Sequence, residues 1–452
     1  MKHFIYSCLV MLWSLGGFSP LEAATHLPQN VLIRDAEIEQ AIKDFVSPLF
    51  KVAGLDAKQL KVMVIFSNEV NAAAGLQYTL YINTGLILQS KNLGQLIGVL
   101  AHETGHLAGR HNERLLNMGN YSIVPMLGAI LIGGAVAAMT GTPEPFLAGI
   151  MGGMEVSENS ILAYHRGHEG SADQAAFQYM EKLGWSSQGF MEFMQKLHKQ
   201  DLLSPERQYA YKRTHPFMID RMRLLEKHCK NSAHQNAVFP QGFEEKFARI
   251  HAKITGYSET PQRLLQKYPM TNQTLPAKYI RAIAFHQSNQ TMAALKEIDE
   301  LLAQHPQDPY FLEFKGQIYF ETGQTEKAIE FYQQARKILP QNGLITIQLA
   351  HIMLESKGPD RSAEAITLLN QAQKTEKESA FIWRLYATAY GRLKQEGMVS
   401  LMLAEEAVQL GDVEKAHKLA DKALKQLPTN QSTQRQRAKD IKTLDATVEE
   451  NS

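Results

Sequence analysis

Cysteine is nearly absent from the 452-residue chain, which contains only Cys8 and Cys229. Two cysteines exclude a disulfide-rich scaffold and a zinc finger with cysteine ligands. An excess of basic charge is also lacking, because 47 Lys and Arg residues stand against 46 Asp and Glu residues. We therefore expect no nucleic-acid partner. Sixteen histidines leave open a metal site that is built from histidine and carboxylate ligands.

No apolar run in the sequence reaches the roughly 20 residues that a membrane-spanning helix needs. The N-terminal run, Phe4–Phe18, follows a basic start and precedes a small-residue cleavage site at Ala23. This order predicts a signal peptide over residues 1–23, which is removed on secretion, and a retained membrane anchor is the alternative. Cleavage would leave Cys229 without a partner for an intramolecular disulfide.

A second apolar region contains Ile123–Met139, seventeen residues without a charge, and Phe146–Met154. Both segments are short for a bilayer, and Pro125 interrupts the first one. Three interpretations are a buried core helix, a transmembrane hairpin, and a lid that covers a cleft or lies on a membrane surface. We expect residues 121–154 to form such a lid or a hairpin in peripheral contact with the membrane.

The alternation of helical and strand patterns predicts an α+β unit over residues 24–233, mostly helical with a small sheet. Val62–Phe66 has the pattern of a buried strand, and Gln77–Ile82 alternates like a half-exposed one. An apolar helix is expected over about Leu93–Leu116. The polar stretch that follows, residues 234–272, is predicted to be a connector with helical pieces.

Small residues recur with a period of 34 residues in the last third of the chain. Ala282, Ala294 and Pro306 return as Gly316, Ala328 and Pro340, and further units follow. This pattern resembles the tetratricopeptide repeat, in which small residues let two antiparallel helices pack closely. We predict an all-α solenoid over residues 273–428 that binds other proteins, with an ordinary helical bundle as the alternative. The polar tail, residues 429–452, is expected to be frayed or disordered.

The apolar helix contains the sequence HETGH at residues 102–106. His102 and His106 are one turn apart, so both imidazoles project from the same face and can hold one Zn²⁺. Glu103 lies beside that position, where it can take a proton from the attacking water and later return it to the leaving amine. The alternative is a pair of surface histidines, which so apolar a helix does not favour.

A site with two histidines needs a third protein ligand, and residues 165–173 offer one. Glu169 suits the ligand role, and Asp173, one turn later, suits an acceptor for the N–H of a ligand histidine. His165 and His168 are rival ligands. Without the upstream histidines, the pair of carboxylates would be better explained as a solvated helix face.

Two downstream residues complete the set of candidate site residues. His215 precedes a proline, which holds its backbone extended and limits its freedom. It is predicted either to stabilise the oxyanion or to complete the ligand set as a latch in a resting enzyme, and a turn residue is the alternative. Arg221 is predicted to contact an oxyanion, the substrate or a carboxylate, with a surface salt bridge as the alternative.

These motifs together resemble the HtpX/CAAX-prenyl-protease family of zinc metallopeptidases, over about Asn71–Arg221. With a signal peptide in front and tetratricopeptide repeats behind, the chain is similar to the periplasmic, repeat-carrying members of that family. The resemblance implies a zincin-like, gluzincin-like domain with one Zn²⁺ per chain. It also implies that His102, His106 and Glu169 are the zinc ligands and that Glu103 is the general base.

The chain departs from the family at two places beside the proposed ligands. His165 stands where the family usually has Ser, and Ser171 stands where it usually has Glu. Neither change falls on a proposed ligand or on Asp173. The departures therefore bear on how the site is tuned.

The sequence thus predicts a periplasmic zinc endopeptidase for unfolded or misassembled envelope proteins, in outer-membrane protein quality control. We expect the substrate to add as a strand to an edge strand around Gln77–Ile82, which gives weak sequence specificity. The repeats are expected to bind clients or the outer-membrane assembly machinery. One alternative is a chaperone or adaptor whose protease site is latched or residual, and another is an integral-membrane protease.

Overall fold

The structure is a computed structural model that describes residues 5–6, 29–111, 158–199, 215, 219–377 and 379–444. The predicted lid over residues 121–154 and the predicted cleavage site lie outside the described residues. Two compact units divide between Ala284 and Phe285. Among the helices that the structure describes, none has the length and apolar character needed to cross a membrane.

A five-stranded sheet with the order β1-β2-β3-β5-β4 belongs to the N-terminal unit. β2 runs antiparallel to β3, β3 parallel to β5, and β5 antiparallel to β4. The strands are β1 Ile5–Tyr6, β2 Val31–Arg34, β3 Lys61–Phe66, β4 Ala72–Ala74 and β5 Thr79–Asn83. The predicted signal-peptide cleavage would remove β1, which pairs parallel with β2.

The predicted buried strand Val62–Phe66 is confirmed by β3. The interpretation of Gln77–Ile82 as a half-exposed edge strand is wrong, because β5 lies between β3 and β4 and only Tyr81 is partly exposed. β4 is the edge strand on that side of the sheet. A central position buries both faces and both edges of a strand, and an alternating pattern alone does not reveal this.

Helix α3 is the central helix of the N-terminal unit, and its residues Leu93–Leu107 are buried. It ends at Gly109 rather than near Leu116, because Arg110 adopts a left-handed conformation that cannot continue the helix. The helices of this unit are α1 Ala36–Val52, α2 Thr84–Gln89, α3 Leu93–Gly109, α4 Glu158–Lys182, α5 Gln188–His198, α6 Ile219–Asn231, α7 Phe243–Ser258, α8 Pro261–Lys267 and α9 Leu275–Gln287, which crosses the division.

The stretch predicted as a connector contributes to the core of the N-terminal unit. Phe243, Phe247, Ile250 and Ile254 project from α7 at helical spacing and belong to the same hydrophobic cluster as α1 and α3. Each such side chain contributes about 1.5–3 kcal/mol on full burial. Helix α7 is therefore part of the body that holds the site.

The C-terminal unit consists of consecutive helices with buried small residues at the predicted repeat positions. A β-carbon at Gly316 would lie 2.7 Å from the ring of Tyr332, so only glycine permits this close approach of two helices. The helices are α10 Thr291–Gln304, α11 Pro309–Glu321, α12 Thr325–Ile338, α13 Gly343–Glu355, α14 Ser362–Ala372, α15 Ala380–Arg392, α16 Glu396–Gln409, α17 Val413–Gln426 and α18 Ser432–Lys442.

The expectation of a frayed tail is wrong for Ser432–Lys442, which form helix α18. Ala438 and Ile441 are three residues apart on one face of α18, and both are fully buried. Arg437 also pairs with Glu405 at 2.6 Å. Two apolar residues at helical spacing are therefore enough to dock an otherwise polar helix.

Candidate active site

The site forms where α4 crosses α3 at close range. A β-carbon at Gly105 would lie only 2.9 Å from the carbonyl oxygen of Ala172, so the two backbones touch at a point where no side chain fits. His102 and His106 flank this point on α3, and Glu169 and Asp173 flank it on α4. The close approach brings the two pairs of side chains face to face.

His102, His106 and Glu169 converge on one buried position. Nε2 of His102 lies 3.0 Å from Nε2 of His106. The carboxylate of Glu169 reaches both rings, with Oε2 3.4 Å from His102 Nε2 and Oε1 3.3 Å from His106 Nε2. With His215, these residues offer ligand atoms that all lie within 4.8 Å of one another. The structure thus brings together the three predicted ligands.

Glu103 lies beside the cluster with its two carboxylate oxygens in different surroundings. Oε2 accepts a hydrogen bond from the backbone N–H of Ala74 at 2.9 Å. Oε1 is buried and makes no hydrogen bond within the described part of the chain, and His215 Nε2 lies 3.4 Å away. A buried carboxylate oxygen is costly without a partner, so Oε1 fits a place where a water molecule or substrate proton is received.

Asp173 and Arg221 support the ligand residues from behind. Nδ1 of His102 donates to Asp173 Oδ1 at 2.8 Å. Arg221 donates from Nε to Asp173 Oδ2 at 2.6 Å, and its Nη1 lies 3.0 Å from Glu169 Oε2. Arg221 is buried, so the surface salt bridge is excluded and the carboxylate-partner alternative describes its contacts.

The electrostatics of the site keep the carboxylates of Glu169 and Asp173 ionised. Burial raises the pKa of Glu169, but the charge of His215 and hydrogen bonds from the three histidines outweigh it and hold that pKa well below its usual range. The pKa of Asp173 is also lowered, because the hydrogen bond from His102 and the charge of Arg221 outweigh burial. An ionised Glu169 suits a metal ligand, and an ionised Asp173 suits a hydrogen-bond acceptor.

The two histidines of α3 are shifted in opposite directions. Burial lowers the pKa of His106 to about 4, so its ring stays neutral. Burial also disfavours charge on His102, but Asp173 and Glu169 outweigh it and raise the pKa of His102 to about 10. A proton on His102 would compete with a metal ion for Nε2, so acid would weaken metal binding at this position.

The ring of His215 lies inside the cluster. Its Nδ1 is 3.0 Å from Glu169 Oε1 and 3.4 Å from His102 Nε2. Its neighbours in the sequence, Thr214 and Pro216, are outside the described residues. The ring thus contacts both a predicted ligand carboxylate and, through Nε2, the predicted base Glu103.

The rival ligands do not join the cluster in the described part of the chain. His168 packs its ring against His111, with ring centroids 4.0 Å apart. The side chain of His165 lies outside the described residues. The sequence did not reveal the role of Ala74, because its backbone N–H, rather than its side chain, donates to Glu103. It also assigned no role to His111, whose ring contacts His106.

Comparison with known proteins agrees with this geometry. Residues 33–228 match peptidase family M48, and residues 273–399 match a tetratricopeptide repeat family. The chain contains an M48 metallopeptidase domain followed by tetratricopeptide repeats. The family resemblance seen in the sequence is thereby confirmed.

Two of three relatives match this chain over most of its length. The beta-barrel assembly-enhancing protease of Escherichia coli K12 is 25% identical over 403 residues, which are 88% of this chain and 80% of the relative. The protein of the same name from Yersinia pestis is 25% identical over 370 residues, 79% of this chain and 73% of the relative. Metalloprotease YcaL of E. coli K12 is 30% identical over 139 residues, 30% of this chain and 51% of that protein.

Proposed function

We propose that this metallopeptidase is a periplasmic, zinc-dependent endopeptidase that cleaves unfolded or misassembled envelope proteins in outer-membrane protein quality control. The observation that carries the proposal is the buried cluster of His102, His106 and Glu169 beside the buried Oε1 of Glu103, which makes no hydrogen bond within the described residues. The relatives named beta-barrel assembly-enhancing protease support a task in β-barrel assembly. Export through residues 1–23 and peripheral contact with the membrane belong to the same proposal.

The donor set fits one Zn²⁺ per chain. Two imidazole nitrogens and one carboxylate oxygen are the protein ligands that many catalytic zinc sites use. His102, His106 and Glu169 would hold the ion, with Asp173 fixing the tautomer and orientation of His102. When bound, the ion supplies Lewis-acid activation of a water molecule and of the scissile carbonyl.

Glu103 is the proposed general base. Oε1 accepts the proton of the attacking water and then passes it to the amine nitrogen as the peptide C–N bond breaks. The hydrogen bond from Ala74 N–H fixes Oε2 and therefore the direction of Oε1. The proton is returned to the product, so Glu103 is ionised again at the end of each cycle.

The edge strand β4 is the proposed binding place for an extended substrate. Asn83 N–H donates to Asn71 O at 3.0 Å, and Gly75 N–H donates to Thr79 O at 2.7 Å, so these residues face β5. Antiparallel ladders alternate, so the backbone groups of Ala72 and Ala74 face the outer edge. Ala74 N–H there holds Glu103. A peptide strand added beside β4 would therefore run past the base.

Main-chain pairing of this kind gives affinity with little dependence on sequence, which suits unfolded clients. The tetratricopeptide repeats would add a second contact, either with the client or with the outer-membrane assembly machinery. Two contacts on one chain raise the effective concentration of a client at the site. The proposed clients are therefore proteins that expose an extended segment.

The decisive experiment compares the wild type with Glu103→Gln in zinc content and in cleavage of an unfolded protein such as reduced casein. We expect both proteins to bind about one zinc ion, because Glu103 is not a ligand, and only the wild type to cleave. Glu414→Gln, which changes an exposed glutamate of α17, serves as the control and should cleave normally. Near wild-type cleavage by Glu103→Gln would exclude the proposed mechanism.

A further inference from the structure

The end of helix α3 is folded back onto the site. Arg110 adopts the left-handed conformation, with φ 50° and ψ 39°, and its N–H bonds to the carbonyl oxygens of His106 and Leu107. This change of chain direction turns the next residue, His111, back towards α3. The ring of His111 is buried, with 9% of the residue exposed.

The ring of His111 meets the outer nitrogen of a proposed ligand. Nδ1 of His111 lies 2.9 Å from Nδ1 of His106. Nε2 of His106 faces His102 and Glu169, so a metal ion bound there leaves the ring proton on Nδ1. His106 then donates this proton to Nδ1 of His111, which must be the acceptor.

The remaining hydrogen bonds allow this arrangement. With Nδ1 accepting, His111 carries its own proton on Nε2, and Ser171 Oγ lies 3.4 Å from that atom. The hydroxyl of Ser171 donates to the carbonyl oxygen of His168 at 2.9 Å, which leaves the Oγ lone pairs free to accept. A continuous series of donors thus runs from His106 through His111 and Ser171 to His168.

We propose that His111 is a positioning residue for the ligand His106, a role that rests on the proposed function. It would fix the tautomer and the ring orientation of His106, as Asp173 does for His102. The two ligands would then have different outer partners, a carboxylate for His102 and a neutral imidazole for His106. Outer partners of this kind tune both ligand geometry and metal affinity.

The contact between His111 and His106 requires glycine at position 109. A β-carbon at Gly109 would collide with three atoms of the His111 ring. Alanine is a better helix former than glycine at a helical position. Glycine at this place therefore weakens the helix slightly and admits the ring that reaches His106.

The test measures Zn²⁺ affinity of the full-length protein by competition with a chromophoric chelator. His111→Phe keeps an aromatic ring but removes the acceptor, and we expect zinc affinity to fall by about 10–100-fold. His111→Gln, whose side-chain carbonyl can accept from His106, should recover most of that loss. His234→Phe changes a histidine that is 39% exposed and should bind zinc like the wild type.

Gly109→Ala gives an independent readout. It should lower zinc affinity about as much as His111→Phe, because the added β-carbon displaces the His111 ring from His106. A merely structural role predicts a lower unfolding temperature of the metal-free protein with unchanged zinc affinity. Wild-type zinc affinity in His111→Phe would overturn the role of His111 alone. Absence of zinc binding by the wild type would overturn the proposed function as well.

Discussion

Glu169 and Asp173 are one helical turn apart, yet they are suited to different tasks because they face different atoms. Glu169 contacts Nε2 of both His102 and His106, whereas Asp173 contacts Nδ1 of His102 and the guanidinium of Arg221. Only Glu169 therefore points at the place where a metal ion would be held. The difference between the two residues is positional, since both are buried and both are ionised.

This difference predicts distinct losses of zinc affinity. Glu169→Ala should lose most of its zinc affinity, because a ligand is removed, whereas Asp173→Ala should lose about 10–100-fold. Competition with a chelator measures both values. Stoichiometric zinc in Glu169→Ala after mild chelation would contradict the ligand assignment and would point to His215, the remaining donor of the cluster.

Substitution of His215 tests whether the site is closed in the resting enzyme. Its ring lies between the ligand carboxylate of Glu169 and the base Glu103, so a fourth protein ligand would close the position that a water molecule needs. If the ring is a latch, His215→Ala should increase the rate of casein cleavage. A fall of about 100-fold or more would instead indicate stabilisation of the oxyanion, and an unchanged rate would exclude both roles.

At the scale of secondary-structure elements, close contacts between helices determine where glycine is required. Gly316 on α11 faces the ring of Tyr332 on α12, where a β-carbon would lie 2.7 Å away. Among the described residues, only Val399 lies near the β-carbon position of Gly391 on α15, at 3.8 Å. Both glycines are helical, so they differ mainly in the space around them.

We expect Gly316→Ala to lower the free energy of unfolding of the repeat unit by about 1–3 kcal/mol through overpacking. Gly391→Ala is the matched control and should be neutral or stabilising by up to about 1 kcal/mol, since alanine favours helix. Urea unfolding of the full-length protein, followed by circular dichroism, measures both changes. Equal effects of the two substitutions would show that helix propensity rather than packing dominates.

At the scale of the N-terminal unit, a buried ionic network joins the start of α1 to α7 and α9. Glu37 accepts from Arg249 Nε at 2.7 Å and from the hydroxyl of Tyr279 at 2.8 Å, and Lys253 Nζ lies 3.4 Å away. Burial raises the pKa of Glu37, but Arg249, Lys253 and Tyr279 outweigh it and lower the pKa below its ordinary value. This network holds the predicted connector against the domain that contains the site.

A lowered pKa in the folded state makes stability depend on pH in one direction. The contribution of Glu37 is fully present above about pH 5 and is lost as the pH falls through its folded pKa. Glu37→Gln should cost about 3–5 kcal/mol at pH 7, because Arg249 and Lys253 lose their buried partner, and should weaken the acid dependence. Thermal unfolding between pH 3 and 7 measures both the loss of stability and the acid dependence. The control, Glu245→Gln, changes an exposed partner of Arg249 and should keep the wild-type profile.

The sequence alone determined the features that depend on local spacing. Four residues separate His102 from His106, which places both rings on one face of any helix, and small residues every 34 positions permit the close helix pairs seen at Gly316. The strand over Val62–Phe66 likewise followed from a short apolar run. Each of these properties is fixed within a few turns or one strand, so no knowledge of distant residues is required.

Only the tertiary structure decided which distant residues meet. It placed β4 rather than β5 at the edge of the sheet and joined Arg221 to Asp173 across 48 residues. It also turned the ring of His111 onto His106 and packed α7 into the core. These contacts depend on the order of strands, on helix crossings and on a left-handed residue after α3. Such features follow from the packing of the whole unit, because the local pattern allows several arrangements with similar burial.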